Sequence, residues 1–226
     1  MTVVLGDSHG WVALNKPPGI PVFPPHADPL GDCLLTRWRG EQPDIGEQEW
    51  PDGFDGVIAH RLDGSTSGQV LAAKTPADLL WIRELFRKGE LMKRYVFVSA
   101  RDVPWDEHLV QTPIAHDKRR RSRMIVQRGK STPHRGRWYP ANTSFRRLGK
   151  TADAAFLWEA VITTGVMHQI RVHAASVGIP LRGDKHYGGG SPIDESIPFL
   201  LHHIGLTGPD FSPPVASVPD FWPIPE

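Results

Sequence analysis

The sequence predicts an α+β fold, a mixed β-sheet with helices and long loops about it, and three observations carry that expectation. Short apolar or alternating runs recur between residues 11 and 162, two segments combine helical periodicity with signals at both ends, and 22 glycines with 22 prolines break the chain into many loops. Residues 11–14 read as an opening strand, and Asn15-Lys16-Pro17-Pro18-Gly19 follows it as an extended turn enforced by the two fixed proline φ angles. Residues 30–38 read as a short helix, and the acidic, Pro/Gly-rich segment 40–56 as a surface loop. Residues 57–59 and 70–73 are short apolar runs bounded by turn residues, hence buried strands, with Asp63 in the turn joining them.

The next helix is signalled at both ends. Thr75 suits the N-cap, Pro76 the first helical position and Asp78 the positive end of the dipole, while Gly89 suits the stop, which gives Pro76–Lys88 with Leu79, Ile82 and Phe86 on its core face. Residues 93–100 alternate as a strand, placing Tyr95, Phe97 and Ser99 opposite Val96 and Val98. Phe156–Ile162 is another strand, and the turn Thr163-Thr164-Gly165 leads to a helix over 168–177 that Gly178 and Pro180 end.

A length of 226 residues suits one substantial core, so a single domain over 1–226 is expected. One cysteine, Cys33, excludes an internal disulfide framework and points to a reducing compartment, with the thiol as a small buried hydrophobe. No apolar run is long enough to cross a bilayer and the N-terminus lacks a signal-peptide pattern, so the expected location is cytoplasmic, without membrane contact.

A net charge of +1 conceals an uneven distribution. Residues 118–150 hold twelve Lys and Arg and no acid, whereas residues 41–55 hold six acids and no Lys or Arg. In the basic stretch Arg119, Arg120, Arg121, Arg123, Arg128, Arg135, Arg137, Arg146 and Arg147 lie among Trp138, Tyr139 and Phe145, a mixture of planar forks and flat faces suited to phosphates and bases. A solvated basic loop is the other reading of the same charges.

The residues His60-Arg61-Leu62-Asp63-Gly64-Ser65-Thr66-Ser67-Gly68-Gln69 isolate one carboxylate in a glycine-framed loop, where Thr66 and Ser67 can bond local backbone and hold it at a chosen angle. With Asn15-Lys16-Pro17-Pro18-Gly19, Lys93-Arg94-Tyr95, His168-Gln169-Ile170-Arg171-Val172-His173, Gly183-Asp184-Lys185-His186-Tyr187-Gly188 and the Leu201-His202 element, this order of motifs resembles the RluA-type RNA pseudouridine synthases over residues 11–206.

The resemblance implies a mixed, mainly antiparallel central β-sheet flanked by helices and loops, and an enzyme that isomerises specific uridines of rRNA or tRNA without metal or other cofactor. It implies that Asp63 is the catalytic nucleophile, attacking the nucleotide at the sugar or the base so that the base detaches, turns and rejoins through carbon. Burial beneath a base disfavours a charged carboxylate, and the resemblance supplies Arg171 as the paired cation and Tyr95 as the residue that stacks on the base. Expected RNA contacts are Arg61, Lys16, Arg119, Arg120, Arg121, Arg123, His168 and Gln169, with Lys16 and Arg61 orienting the loop or touching phosphate. The target must leave the stack or be unpaired. The partner is then structured RNA, with no obligate protein partner, the chain acting as a monomer and lacking an N-terminal S4-like domain.

The pattern departs from the family at two places: Val166 and Met167 stand where Arg-Thr is usual before His-Gln, and Gly64-Ser65 replace bulkier residues after the aspartate. A non-catalytic RNA-binding protein of the same fold is therefore the alternative. Gly129-Lys130-Ser131 fails as a phosphate loop because Met124 occupies the first glycine position, and a two-carboxylate glycosidase would use Asp184 beside Asp63. His168 and His173 are five apart, so they do not share one helix face as metal ligands; with His60 they are read as structural or RNA-contacting.

Overall fold

The computed structural model describes residues 2–25, 28–42, 44–45, 48–51, 56–191, 197–209 and 211–224. Along them run β1 (Val3–Ser8), β2 (Trp11–Lys16), α1 (Leu34–Glu41), β3 (Ser67–Ala73), α2 (Pro76–Lys88) and β4 (Met92–Ser99). There follow β5 (Glu107–Val110), β6 (Ile114–Asp117), β7 (Met124–Val126), β8 (His134–Tyr139), β9 (Thr143–Lys150) and β10 (Phe156–Ile162), then α3 (Gln169–Ser176) and β11 (Leu201–Thr207). The chain divides into two compact units, Met1–Lys93 with His202–Val218 and Arg94–Leu201 with Pro219–Glu226, and no single cut in the sequence separates them.

In the first unit the strand order is β1, β2, β3, β11. β2 runs antiparallel to both β1 and β3, whereas β11 lies parallel to β3, pairing His202 with Ser67 and His203 with Gly68. All seven residues of β3 are buried, which fits its nearly continuous run of small and apolar side chains. Gly68 sits at φ +114°, and a Cβ there would fall 2.1 Å from the His203 carbonyl oxygen, so the close approach of the two strands admits only glycine.

α2 has the expected bounds: Thr75 and Asp78 form a reciprocal capping box, Gly89 closes the helix in the left-handed region, and Leu79 and Ile82 enter a core with Leu71, Ala73, Leu206 and Phe211. Residues 57–59 are buried and extended but form no full strand; one bridge, Ile58 to Ala72, is flanked by Ala59 N–H to Leu71 O and Ala73 N–H to Val57 O bonds of 2.9 and 2.8 Å. The first helix starts four residues later than the sequence suggests. Cys33 is its N-cap, with Sγ accepting from Thr36 N–H while Thr36 Oγ1 accepts from Cys33 N–H, and Leu30 is left exposed ahead of it. Residues 43, 46, 47 and 52–55 of the acidic loop lie outside the described residues.

In the second unit one group of strands runs in the order β4, β10, β9, β5, with β9 antiparallel to both β10 and β5. A separate antiparallel sheet is ordered β7, β6, β8 and shares a core with α3 through Ile114, Met124, Val126 and Val172. Residues 95–99 are buried on both faces of β4, and Phe97 meets Phe145 edge to face at 5.8 Å. The fold is thus α+β, with antiparallel pairs predominating and β3 with β11 as a parallel pair.

The basic stretch is not a loop: it supplies β7, β8 and β9. Several of its members are committed to the fold. Arg146, with Arg94, grips the buried Glu159, and burial of that carboxylate is outweighed by the hydrogen bonds from the two guanidinium groups, which hold its pKa below the usual range. Arg147 pairs with Asp102 and Asp106 and lies 5.0 Å above the Trp158 ring, while Phe145 is core rather than a stacking surface.

Candidate active site

Asp63 belongs to the first unit, Tyr95 and Arg171 to the second. The turn at Asp63 is closed by a Thr66 N–H to Asp63 O bond of 3.0 Å, and the carboxylate is half-buried. Lys16 secures that turn from beneath. Its side chain is 0% exposed and its three ammonium donors reach three carbonyls, Pro17 at 2.9 Å, Ile20 at 2.7 Å and Gly64 at 2.9 Å, while Gly19 N–H adds a 3.0 Å bond to Gly64 O. Burial pushes the Lys16 pKa down to about 7, with the Asp63 carboxylate opposing it. Lys16 therefore joins the proline turn to the Asp63 turn instead of facing phosphate, whereas Arg61 is exposed.

Histidines brace the strand that carries this loop. His60 Nε2 accepts from Leu71 N–H at 3.1 Å; burial, then the His203 and Lys93 charges, keep its pKa well below the ordinary value. His202 must donate from Nε2 to the Ala216 carbonyl at 3.3 Å, so its Nδ1 accepts from the Ser67 hydroxyl at 2.9 Å. His203 Nδ1 donates to Gln69 O at 2.6 Å. Burial lowers His202 to about 4 and His203 to about 3, so both are neutral props at pH 7. His60 is likewise structural, and among the described residues no group of three or more His, Cys, Asp and Glu is placed to hold a metal ion.

In the second unit Arg171 is buried on α3 and donates to both oxygens of Asp184, Nε to Oδ2 at 2.6 Å and an Nη to Oδ1 at 3.0 Å. Its guanidinium lies over the Phe199 and Tyr187 rings at 4.4 and 5.1 Å. Asp184 is 2% exposed and also accepts from His186 N–H, which makes it a holder of Arg171 rather than a hydrolytic carboxylate. The motif Gly183-Asp184-Lys185 carries no sequence signal of this pairing. Tyr95 is buried on β4.

The residues around Arg171 divide into those that hold α3 and those that face outward. Gln169 is buried with its amide occupied: Oε1 accepts from the Thr164 hydroxyl and from Val166 N–H, and Nε2 donates to Asn142 O and Thr143 Oγ1. Thr143 in turn donates to His173 Nδ1 at 2.8 Å, because His173 Nε2 donates to Thr112 O at 2.9 Å. The expected RNA contact at Gln169 is thus a helix-docking network, and His173 belongs to it. His168 enters α3 at φ 55° and shares a 2.9 Å hydrogen bond with the Tyr187 hydroxyl. Arg119, Arg120 and Arg121 are exposed and Arg123 is half-buried. At the two departures, the Val166 side chain packs against the small-sheet core, and a side chain at Gly64 would meet nothing within 4 Å.

Comparison with known proteins places these residues in a wider context. The pattern of the RNA pseudouridylate synthase family matches residues 10–176. The dual-specificity RNA pseudouridine synthase RluA of Yersinia pestis is 27% identical over 219 residues, covering 95% of this chain and 96% of that protein. The uncharacterized RNA pseudouridine synthase YlyB of Bacillus subtilis (strain 168) is 32% identical over 205 residues, 88% of this chain and 61% of that one. The chain spans about half, 51%, of the ribosomal large subunit pseudouridine synthase D of Nitrosomonas europaea, at 32% identity over 85% of its own length. Among solved structures, human RNA pseudouridylate synthase domain containing 1 superimposes with a TM-score of 0.76 at 22% identity, over 99% of this chain and 85% of that one, a likeness of fold.

Proposed function

This chain belongs to the RNA pseudouridylate synthase family, with RluA-type relatives, and from that premise we propose that it converts particular uridines of rRNA or tRNA to pseudouridine with Asp63 as nucleophile. The observation that carries the proposal is the Asp63 turn itself: a half-buried carboxylate inside the matched region, held by a buried lysine that bonds the next residue's carbonyl. The reaction moves atoms without net oxidation. The bond from uracil N1 to C1′ breaks, the base turns, a bond from C5 to C1′ forms, and the proton lost from C5 is balanced by one gained at N1. A carboxylate serves because it adds to the nucleotide and then leaves it.

In this reading Tyr95 is the residue that stacks on the base and Arg171 the catalytic cation, its guanidinium fixed by Asp184. Arg61, Arg119, Arg120, Arg121, Arg123 and His168 contact the RNA, while Lys16 and Gln169 hold the loop and the helix. We assign the activity to a monomer in the cytoplasm; the single, buried cysteine suits a reducing compartment, and among the described residues no helix is long and apolar enough to cross a membrane.

The test is Asp63→Ala in the purified chain, assayed for pseudouridine in cellular rRNA and tRNA alongside RNA binding. Loss of pseudouridine formation by about a thousandfold or more with binding retained is expected. Equal formation by the variant removes Asp63 as nucleophile, and binding with no formation by either protein supports the non-catalytic RNA-binding alternative.

A further inference from the structure

The second unit holds a cavity of about 740 Å³ that the uridine chemistry leaves unused. Arg119, Arg120, Arg123 and Arg128 border it against one carboxylate, Asp117, which already accepts from Arg119 N–H at 2.7 Å. Among the described residues none of these four guanidinium groups enters an ion pair or a side-chain hydrogen bond. Such a cluster repels itself and is relieved by an anion. The same cavity is apolar where Met124, Val126 and Val172 line it. His186 also lines it and has a buried Nδ1 without a hydrogen-bond partner. An anion alone would use the arginines and leave the apolar surface uncovered.

We propose that this cavity seats one nucleotide of the substrate RNA other than the isomerised uridine, its base against Met124, Val126 and Val172 and its phosphate on Arg123 and the neighbouring arginines. The inference rests on the reading of the chain as an RNA uridine isomerase. The volume falls within the roughly 300–1,000 Å³ typical of small-ligand sites, ample for a nucleotide. The occupant also meets Tyr187, whose hydroxyl accepts from Met124 N–H at 2.9 Å and whose ring lies 5.1 Å from the Arg171 guanidinium carbon. Filling the cavity therefore steadies a residue that frames Arg171.

The experiment uses the full chain and a labelled, mixed-sequence single-stranded oligoribonucleotide, competed with adenosine 5′-monophosphate or inorganic phosphate. Arg123→Ala is expected to weaken RNA binding about tenfold and to reduce the slope of log affinity against log salt by about one. Ser131→Trp, which fills the lining from an exposed position, weakens it as well, while Arg87→Ala, on α2 of the other unit, leaves it unchanged. Adenosine 5′-monophosphate displaces the RNA at lower concentration than phosphate, and Arg123→Ala removes that difference. Unchanged RNA affinity in a folded Arg123→Ala overturns the assignment, as does equal competition by phosphate. Pseudouridine formation by the wild-type chain is followed in parallel: formation with unaltered Arg123→Ala binding sinks the cavity alone, whereas no formation by the wild-type chain sinks the reaction and leaves the binding result to decide the cavity.

Discussion

Asp184 grips Arg171 through both carboxylate oxygens in a site where neither side chain meets much water. A buried guanidinium that loses its two-point carboxylate contact is costly to keep charged, so Asp184→Ala is predicted to destabilise the fold by about 3–5 kcal/mol, read by urea unfolding. A change below about 1 kcal/mol would show that the pair is dispensable. The partnership was not legible in the sequence because Asp184 lies beyond the end of α3, outside any helical or strand period with Arg171. Lys16 was equally hard to place. The motif around it marked a turn, but only the fold shows the ammonium enclosed by three carbonyls.

At the scale of elements, the junction of β3 and β11 depends on Gly68. A methyl group at φ +114° and 2.1 Å from a carbonyl oxygen must push the strands apart, so Gly68→Ala should lose roughly 3 kcal/mol or more and expose the Ser67 and Gln69 amides to hydrogen exchange. Wild-type stability and protection in that variant would contradict the close approach. Elements whose signals are local were read well: α2, with a cap at each end, and β10, with its apolar run, have the expected bounds. β1 was missed because it is a largely exposed edge strand containing Gly6, and β8 and β9 because arginine-rich strands offer little apolar alternation. β11 showed only as a two-residue motif; its parallel pairing with β3 lies far along the chain and has no local code.

For the whole molecule, acid is the revealing variable. His202 and His203 titrate in the unfolded chain near pH 6.5 but in the folded chain near 4 and 3, so between those limits the unfolded state binds more protons. Stability therefore rises with pH across that window and falls as acid is added. Urea unfolding should show a lower free energy at pH 5 than at pH 7, with roughly two or more protons taken up per molecule on unfolding near pH 5. A flat profile would mean that these imidazoles are not neutral props. The most direct measurement of the chemistry is a map of pseudouridine in cellular RNA from cells lacking this gene, complemented by the wild-type chain or by Asp63→Ala. The expected result is a set of sites that vanish with the gene, return with the wild-type chain and stay absent with Asp63→Ala. An unchanged map without the gene, or full restoration by Asp63→Ala, would contradict it.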